Sequence, residues 1–157
     1  MKLKLTTALT ACALILSTNI ALADVAKSEK QAKGATELRQ STFTLIRANM
    51  GTLGGMAKGK IPFDAKIVER NATRIHQLSF MIADYTKTDT SGFKVKSDAL
   101  PKVWTERAAF EKRIDDLTVA SEKLVKMSTS GDEAAIKTAI GGVGKTCGGC
   151  HDDFKKD

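Results

Sequence analysis

Residues 130–154 read SGDEAAIKTAIGGVGKTCGGCHDDF, and the fold is decided by what this stretch has to be. Ser130-Gly131-Asp132-Glu133 matches a capping box, with Ser130 accepting from the backbone and Glu133 reaching back, so a helix is expected from here to Phe154. Inside it stands Cys147-Gly148-Gly149-Cys150-His151, the C-x-x-C-H spacing used to attach haem c. Cys147 and Cys150 are three residues apart, and Cys147 and His151 four, so all three can face one planar macrocycle. The thiols would add across two vinyl groups, and a ring nitrogen of His151 would bind the iron.

Other readings of two close cysteines fit less well. A thioredoxin-type redox pair expects a βαβ context, which the sequence lacks. A structural zinc site usually takes four Cys or His ligands. The chain beyond residue 23 has four in total, counting His76, and three of them are crowded into residues 147–151.

Upstream of this helix, three more stretches have helical periodicity, and none shows a convincing strand alternation. The first runs from Val25 to Ala57, with Leu38, Phe43, Ile46, Met50 and Leu53 along one broad side. Gly51, Gly54 and Gly55 lower its helicity, which suits either a bent end or close approach by another helix. After a turn at Lys58-Gly59-Lys60 and Pro62, Asp64 is a good N-cap for a second helix ending near Tyr85, with Phe63 placed to staple onto Val68. Its stripe is Ile67, Ile75, Leu78, Ile82 and Tyr85. Residues Thr86 to Ala99 form the one long loop. Pro101 suits the first turn of a third helix that stops near Ser128, with Trp104, Ala108, Ile114, Leu117, Leu124 and Met127 inward. Four amphipathic helices joined by mostly short loops imply an all-α, antiparallel four-helix bundle, with covalent haem c on the C-terminal helix.

The N-terminus reads as an export signal. Lys2 and Lys4 precede an apolar run, and Ala21-Leu22-Ala23 has the pattern of a cleavage site. Residues 1–23 are therefore expected to be removed, leaving 24–157 as a single domain with one core. The apolar run is shorter than the about 20 residues of a membrane span, so no stable anchor is expected after cleavage. Cys12 leaves with the signal, and Cys147 and Cys150 remain in an exported, oxidising compartment. Lys and Arg number 25 against 18 acids, a formal +7 that falls to about +5 without Lys2 and Lys4. These charges alternate along the chain instead of gathering between aromatics, so no nucleic-acid partner is expected. A mildly positive surface leaves room for an acidic redox partner protein.

With the haem motif last on a four-helix bundle, the chain resembles the class II cytochromes c, the cytochrome c prime family. The resemblance covers nearly all of the chain after residue 23. It runs through Arg39-Gln40, Lys58-Gly59-Lys60-Ile61-Pro62-Phe63-Asp64, Leu100-Pro101-Lys102-Val103-Trp104 and Val143-Gly144-Lys145-Thr146 before the cysteines.

In this family a first-helix residue lies over the distal haem face, and low-spin relatives place a methionine there. One turn on from Arg39-Gln40, that position is Phe43, which cannot coordinate iron. The resemblance therefore implies a five-coordinate, mainly high-spin haem that binds nitric oxide and carbon monoxide. It also implies that Arg39 and Gln40 hydrogen-bond the haem propionates, that Asp98 lies at the haem edge, and that Lys155 occupies a basic position near the proximal imidazole. A periplasmic location and a homodimer built on the first two helices are implied as well.

The alternative is a low-spin electron carrier whose sixth ligand comes from Met50, Met56, Met81, Met127 or His76. A peroxidase-like enzyme would want a distal acid–base residue. His76 in the second helix reads instead as an exposed or satisfied core histidine, so no enzymatic activity is expected.

Overall fold

The computed structural model describes residues 24–156; the expected signal, residues 1–23, lies outside them. Four long helices carry the fold: α1 (Glu29–Ala57), α2 (Ala65–Tyr85), α4 (Arg107–Ser128) and α5 (Glu133–Phe154). A one-turn α3 (Lys102–Thr105) precedes α4, and the two-residue strands β1 (Asp24–Val25) and β2 (Thr88–Asp89) pair in parallel. Each long helix packs on the next, and α1 against α5 closes the ring, so the molecule is a four-helix bundle. None of the described helices is long and apolar enough to cross a membrane.

Local chemistry explains the ends of the helices. Asp64 caps α2 by accepting from Lys66 N and Ile67 N at 2.8 and 3.2 Å, at the boundary its sequence indicates. α1 ends on Gly59 at φ 67°, where Lys60 N donates to Gly55 O (2.8 Å) and Gly59 N to Met56 O (3.1 Å), closing the last turn. The expected cap of α5 moves by two residues. Gly131 turns the chain at φ 77°, so Asp132 becomes the N-cap and accepts from Ala135 N at 2.9 Å. Ser130 instead accepts from Asp132 N, and Glu133 pairs with Lys137.

Three further expectations are corrected. Val25, read as the start of the first helix, is strand together with Asp24, and Ala26 N donates to Asp89 O at 2.9 Å; the helix begins after its Ser28 cap. Leu38 points outward, because the inward face of the first half of α1 carries Thr36, Arg39 and Thr42 instead. The third helix is interrupted at Glu106 (φ −116°, ψ 45°). Trp104 and Phe110 are both buried although six residues apart, a phase that one unbroken helix would put about 120° apart. The break restores the phase, and Ala108, expected inward, becomes exposed.

That break also tethers the end of α2. Trp104 Nε1 donates to Thr86 O at 3.0 Å, and the Arg107 guanidinium donates to Thr86 O, Thr86 Oγ1 and Ala83 O at 3.0–3.2 Å. Orphan carbonyls at a helix C-terminus are thereby satisfied by side chains of the next helices. The 86–99 connection is stitched to both ends of the described chain. β2 pairs with β1, Ala99 bridges Lys155, Leu100 N donates to Phe154 O, and Lys156 N donates to Asp98 O.

The core is continuous across all four long helices and includes Leu53, Ile75, Leu124, Ile140 and Val143. Gly51 and Gly54 approach nothing: a Cβ at either would have no neighbour within 4 Å. Gly55 lies against Ile61, whose side chain is 3.3 Å from such a Cβ.

Candidate functional site

Along α5 the buried residues Ile136, Ile140 and Val143 form a stripe that Cys147 and Cys150 continue, half-buried, toward buried Phe154. The three-four spacing that makes a helix amphipathic thus presents both sulfurs to the bundle. Phe154 is anchored edge-on against Phe110 of α4, with ring centroids 5.1 Å apart. Burial pushes the Cys147 thiol up, and burial above all pushes Cys150 up to about 11, against a lowering by Arg113. A thiolate nucleophile or metal thiolate needs an environment that favours the anion. This environment favours neutral sulfur, which suits a thioether.

His151 is exposed, and its bearing follows from helical geometry. It lies seven residues, close to two full turns, after Gly144, where a Cβ would stand 3.7 Å from Met50 Cε on α1. His151 is therefore turned toward the α1 side of α5.

Two cross-links set the register between these antiparallel helices. Met50 lies beside Gly144, and Arg39 bonds Ser97, whose carbonyl accepts from Lys156 Nζ. Stepping along both helices at about 1.5 Å per residue brings Phe43 level with His151. Phe43 is half-buried and packs on the core. Met50 is displaced from that level by about 10 Å, two turns of helix.

The other donors considered for iron lie elsewhere. Met56 is buried in the last turn of α1, Met81 is exposed on α2, and Met127 lies in the last turn of α4. His76 Nδ1 is 3.2 Å from Thr118 O and 3.4 Å from Ser121 Oγ, within the α2–α4 contact.

Arg39 is 4 % exposed and held by hydroxyls. Its Nη2 donates to Thr36 Oγ1, Thr90 Oγ1 and Ser97 Oγ at 3.1–3.2 Å, and the guanidinium lies over Trp104, 5.3 Å from the ring. Burial lowers its pKa, with Asp89 acting in the opposite sense, but a guanidinium stays charged. Nη1 is buried with no hydrogen-bond partner among the described residues. Next to this cation, Thr90, Ser97, Trp104 and Lys156 line a cavity of about 100 Å³. A buried positive charge with a free donor fits a carboxylate such as a haem propionate.

The remaining expected residues are more loosely placed. Gln40 is exposed, and its Nε2 donates to Lys96 O at 2.9 Å, on the same connection that holds Arg39. Asp98 is exposed, and its carbonyl accepts from Lys156 N. Lys155 does not continue the His151 side of α5, because the helix stops at Phe154 and Lys155 is extended (φ −118°, ψ 144°). Its Nζ donates to Lys156 O. Thr90 and Ser97, which hold Arg39, carry no sequence signal, since each is one hydroxyl in a polar segment without periodicity.

A family model described as Cytochrome C' matches residues 34–155. Cytochrome c' of Rubrivivax gelatinosus is 39 % identical over 123 residues, spanning 78 % of this chain and 94 % of that one. Its crystal structure superposes with a TM-score of 0.72, over 80 % of this chain and 97 % of that chain, at 38 % identity. Cytochrome c prime from Shewanella frigidimarina gives 0.74 at 34 % identity, over 83 % of this chain and 100 % of that one. The nitric oxide complex of a variant of cytochrome c prime from Alcaligenes xylosoxidans gives 0.71 at 28 % identity, over 80 % and 96 %.

Proposed function

The chain belongs to the cytochrome c′ family, and from that premise we propose that it is a periplasmic gas-binding haem protein with five-coordinate, mainly high-spin iron. Like its family, it carries one covalently attached haem c, which supplies an iron able to bind a diatomic ligand and to exchange one electron. Cys147 and Cys150 would attach it, His151 would bind its iron, and Arg39 would hold a propionate through its free Nη1. Gln40 and Asp98 lie at the same edge of the bundle and complete the proposed set.

The contact of Met50 with Gly144 carries this reading, because seven residues on along each antiparallel helix stand Phe43 and His151. The Phe43 ring excludes water and offers neither a lone pair nor a proton. Met50, the nearest methionine along α1, faces Gly144 two turns away. A small gas needs only that the phenyl ring yield, and nitric oxide needs little help from a hydrogen-bond donor. Bound nitric oxide in the Alcaligenes xylosoxidans relative supports the same ligand class here. His76, engaged between α2 and α4, is not placed to serve as a distal acid–base, which supports a binding protein over a peroxidase.

The expected signal in residues 1–23 supports export, with 24–157 as the mature single domain. Exposed Leu38 and Leu45, 53 % each, lie two turns apart on α1, and Met81 is exposed on α2, which supports a homodimer through these helices.

Absorption spectra of ferric and ferrous holoprotein, before and after carbon monoxide and nitric oxide, test the proposal against Phe43→Met. The wild type should be high-spin and bind both gases; methionine should make the haem lower-spin and slow binding. A low-spin wild type with a methionine-to-iron band would favour a methionine-ligated electron carrier instead. An unchanged Phe43→Met protein would show that Phe43 does not face the iron.

A further inference from the structure

Arg113 belongs to none of the roles above, yet it reaches from α4 across the cysteine-bearing end of α5. Its Nε and Nη2 both donate to Asp153 Oδ2, at 3.0 and 2.7 Å. Its Nη1 would lie 3.4 Å from a Cβ on Gly149, the residue just before Cys150. The guanidinium thus rests against α5 at Gly149, on the flank of the helix next to Cys150 and turned away from Cys147. Asp116 on α4 is the other carboxylate within reach, 4.0 Å from Nη1.

The partners are 39 % and 45 % exposed, and ion pairs so open to solvent add little to stability. Their location matters more than their strength. The guanidinium lies against Gly149, one residue before Cys150, and Asp153 stands two residues after His151, so one charge of each sign borders the Cys147–His151 segment.

We infer that Arg113 and Asp153 are positioning residues which lock the Cys147–His151 segment and set the reduction potential of the haem it carries, through two charges held in balance. This rests on the haem reading of that segment. Taking the iron from ferric to ferrous adds one electron, so a nearby cation favours the reduced form and a nearby anion the oxidised one. Paired, the two largely cancel. Separated by mutation, each should reveal its own sign, whereas a clamp acting only through structure would move the potential the same way whichever partner was lost.

Potentiometric titration of holoprotein, followed by haem absorbance, tests this in Arg113→Gln, Asp153→Asn and the double variant. Arg113→Gln should lower the potential and Asp153→Asn should raise it. Each shift should be up to about tenfold in the ferric-to-ferrous ratio at fixed poise, about 59 mV for one electron. The double variant should return close to wild type, and Arg113→Lys should stay nearer to wild type than Arg113→Gln. Single-variant shifts of the same sign, or none in either, would overturn the inference. If Arg113→Gln yields no holoprotein, Asp153→Asn must still raise the potential while Arg113→Lys leaves it near wild type, and any other pattern overturns it. The mass of denatured wild type comes first: no covalent haem would sink the site reading itself, whereas haem-loaded protein without opposite shifts would sink only this inference.

Discussion

Arg39 is a buried cation with three hydroxyls on one nitrogen and nothing on the other. A group of this kind is stable only if something compensates its free donor, and hydrogen bonds to a charged partner contribute about 1.5–3 kcal/mol. Arg39→Met should therefore lower the stability of the holoprotein by about 2–3 kcal/mol in urea denaturation. Arg39→Lys should recover part of it, because an ammonium keeps the charge but lacks the planar fork. A loss below about 0.5 kcal/mol for Arg39→Met would count against an anion at Nη1. The proposal of Cys147, Cys150 and His151 as the attachment set comes from spacing alone, since attachment chemistry demands a fixed interval along a helix. The hydroxyls around Arg39 were not legible, because Thr90 and Ser97 come from a segment whose path is set by contacts distant in sequence.

Among the elements, α2 was readable at both ends, since Asp64 has the side chain that an N-cap needs. Of the expected stripe, however, only Ile75 and Ile82 are buried, because the inward side also takes Val68, Asn71, Ala72 and Ser79 and leaves Ile67, Leu78 and Tyr85 half-buried at its border. The start of α5 was not, because Ser130 and Asp132 are both competent caps and only the turn at Gly131 selects between them. Asp132→Ala should cost about 1 kcal/mol, the usual loss for a missing N-cap, and Ser130→Ala clearly less. Chemical denaturation of the two variants checks this; equal losses would return the cap to Ser130. The break at Glu106 left no mark in the sequence, with neither glycine nor proline there. It is visible only as a strain on phase, in that Trp104 and Phe110 would stand about 120° apart on one straight helix. The outward turn of Leu38 has the same kind of origin, since Arg39 takes the inward place.

At the scale of the whole molecule, exposed Leu38, Leu45 and Met81 leave apolar surface on the α1–α2 side that the bundle does not use. A stable dimer buries at least about 1,000 Å² in total, with an apolar centre. Leu45→Lys should therefore shift the protein toward monomer in light scattering over a concentration series, leaving the haem spectrum unchanged. A wild type that stays monomeric at every concentration would remove the dimer.

The stitching of the 86–99 connection also has a mechanical meaning. Tension on the leading end enters through the pairing of Asp24–Val25 with Thr88–Asp89, and tension on the trailing end through Lys156 and Asp98. Part of each load therefore arrives in the segment that carries Thr90 and Ser97, so the grip on Arg39 is tied to both tails at once.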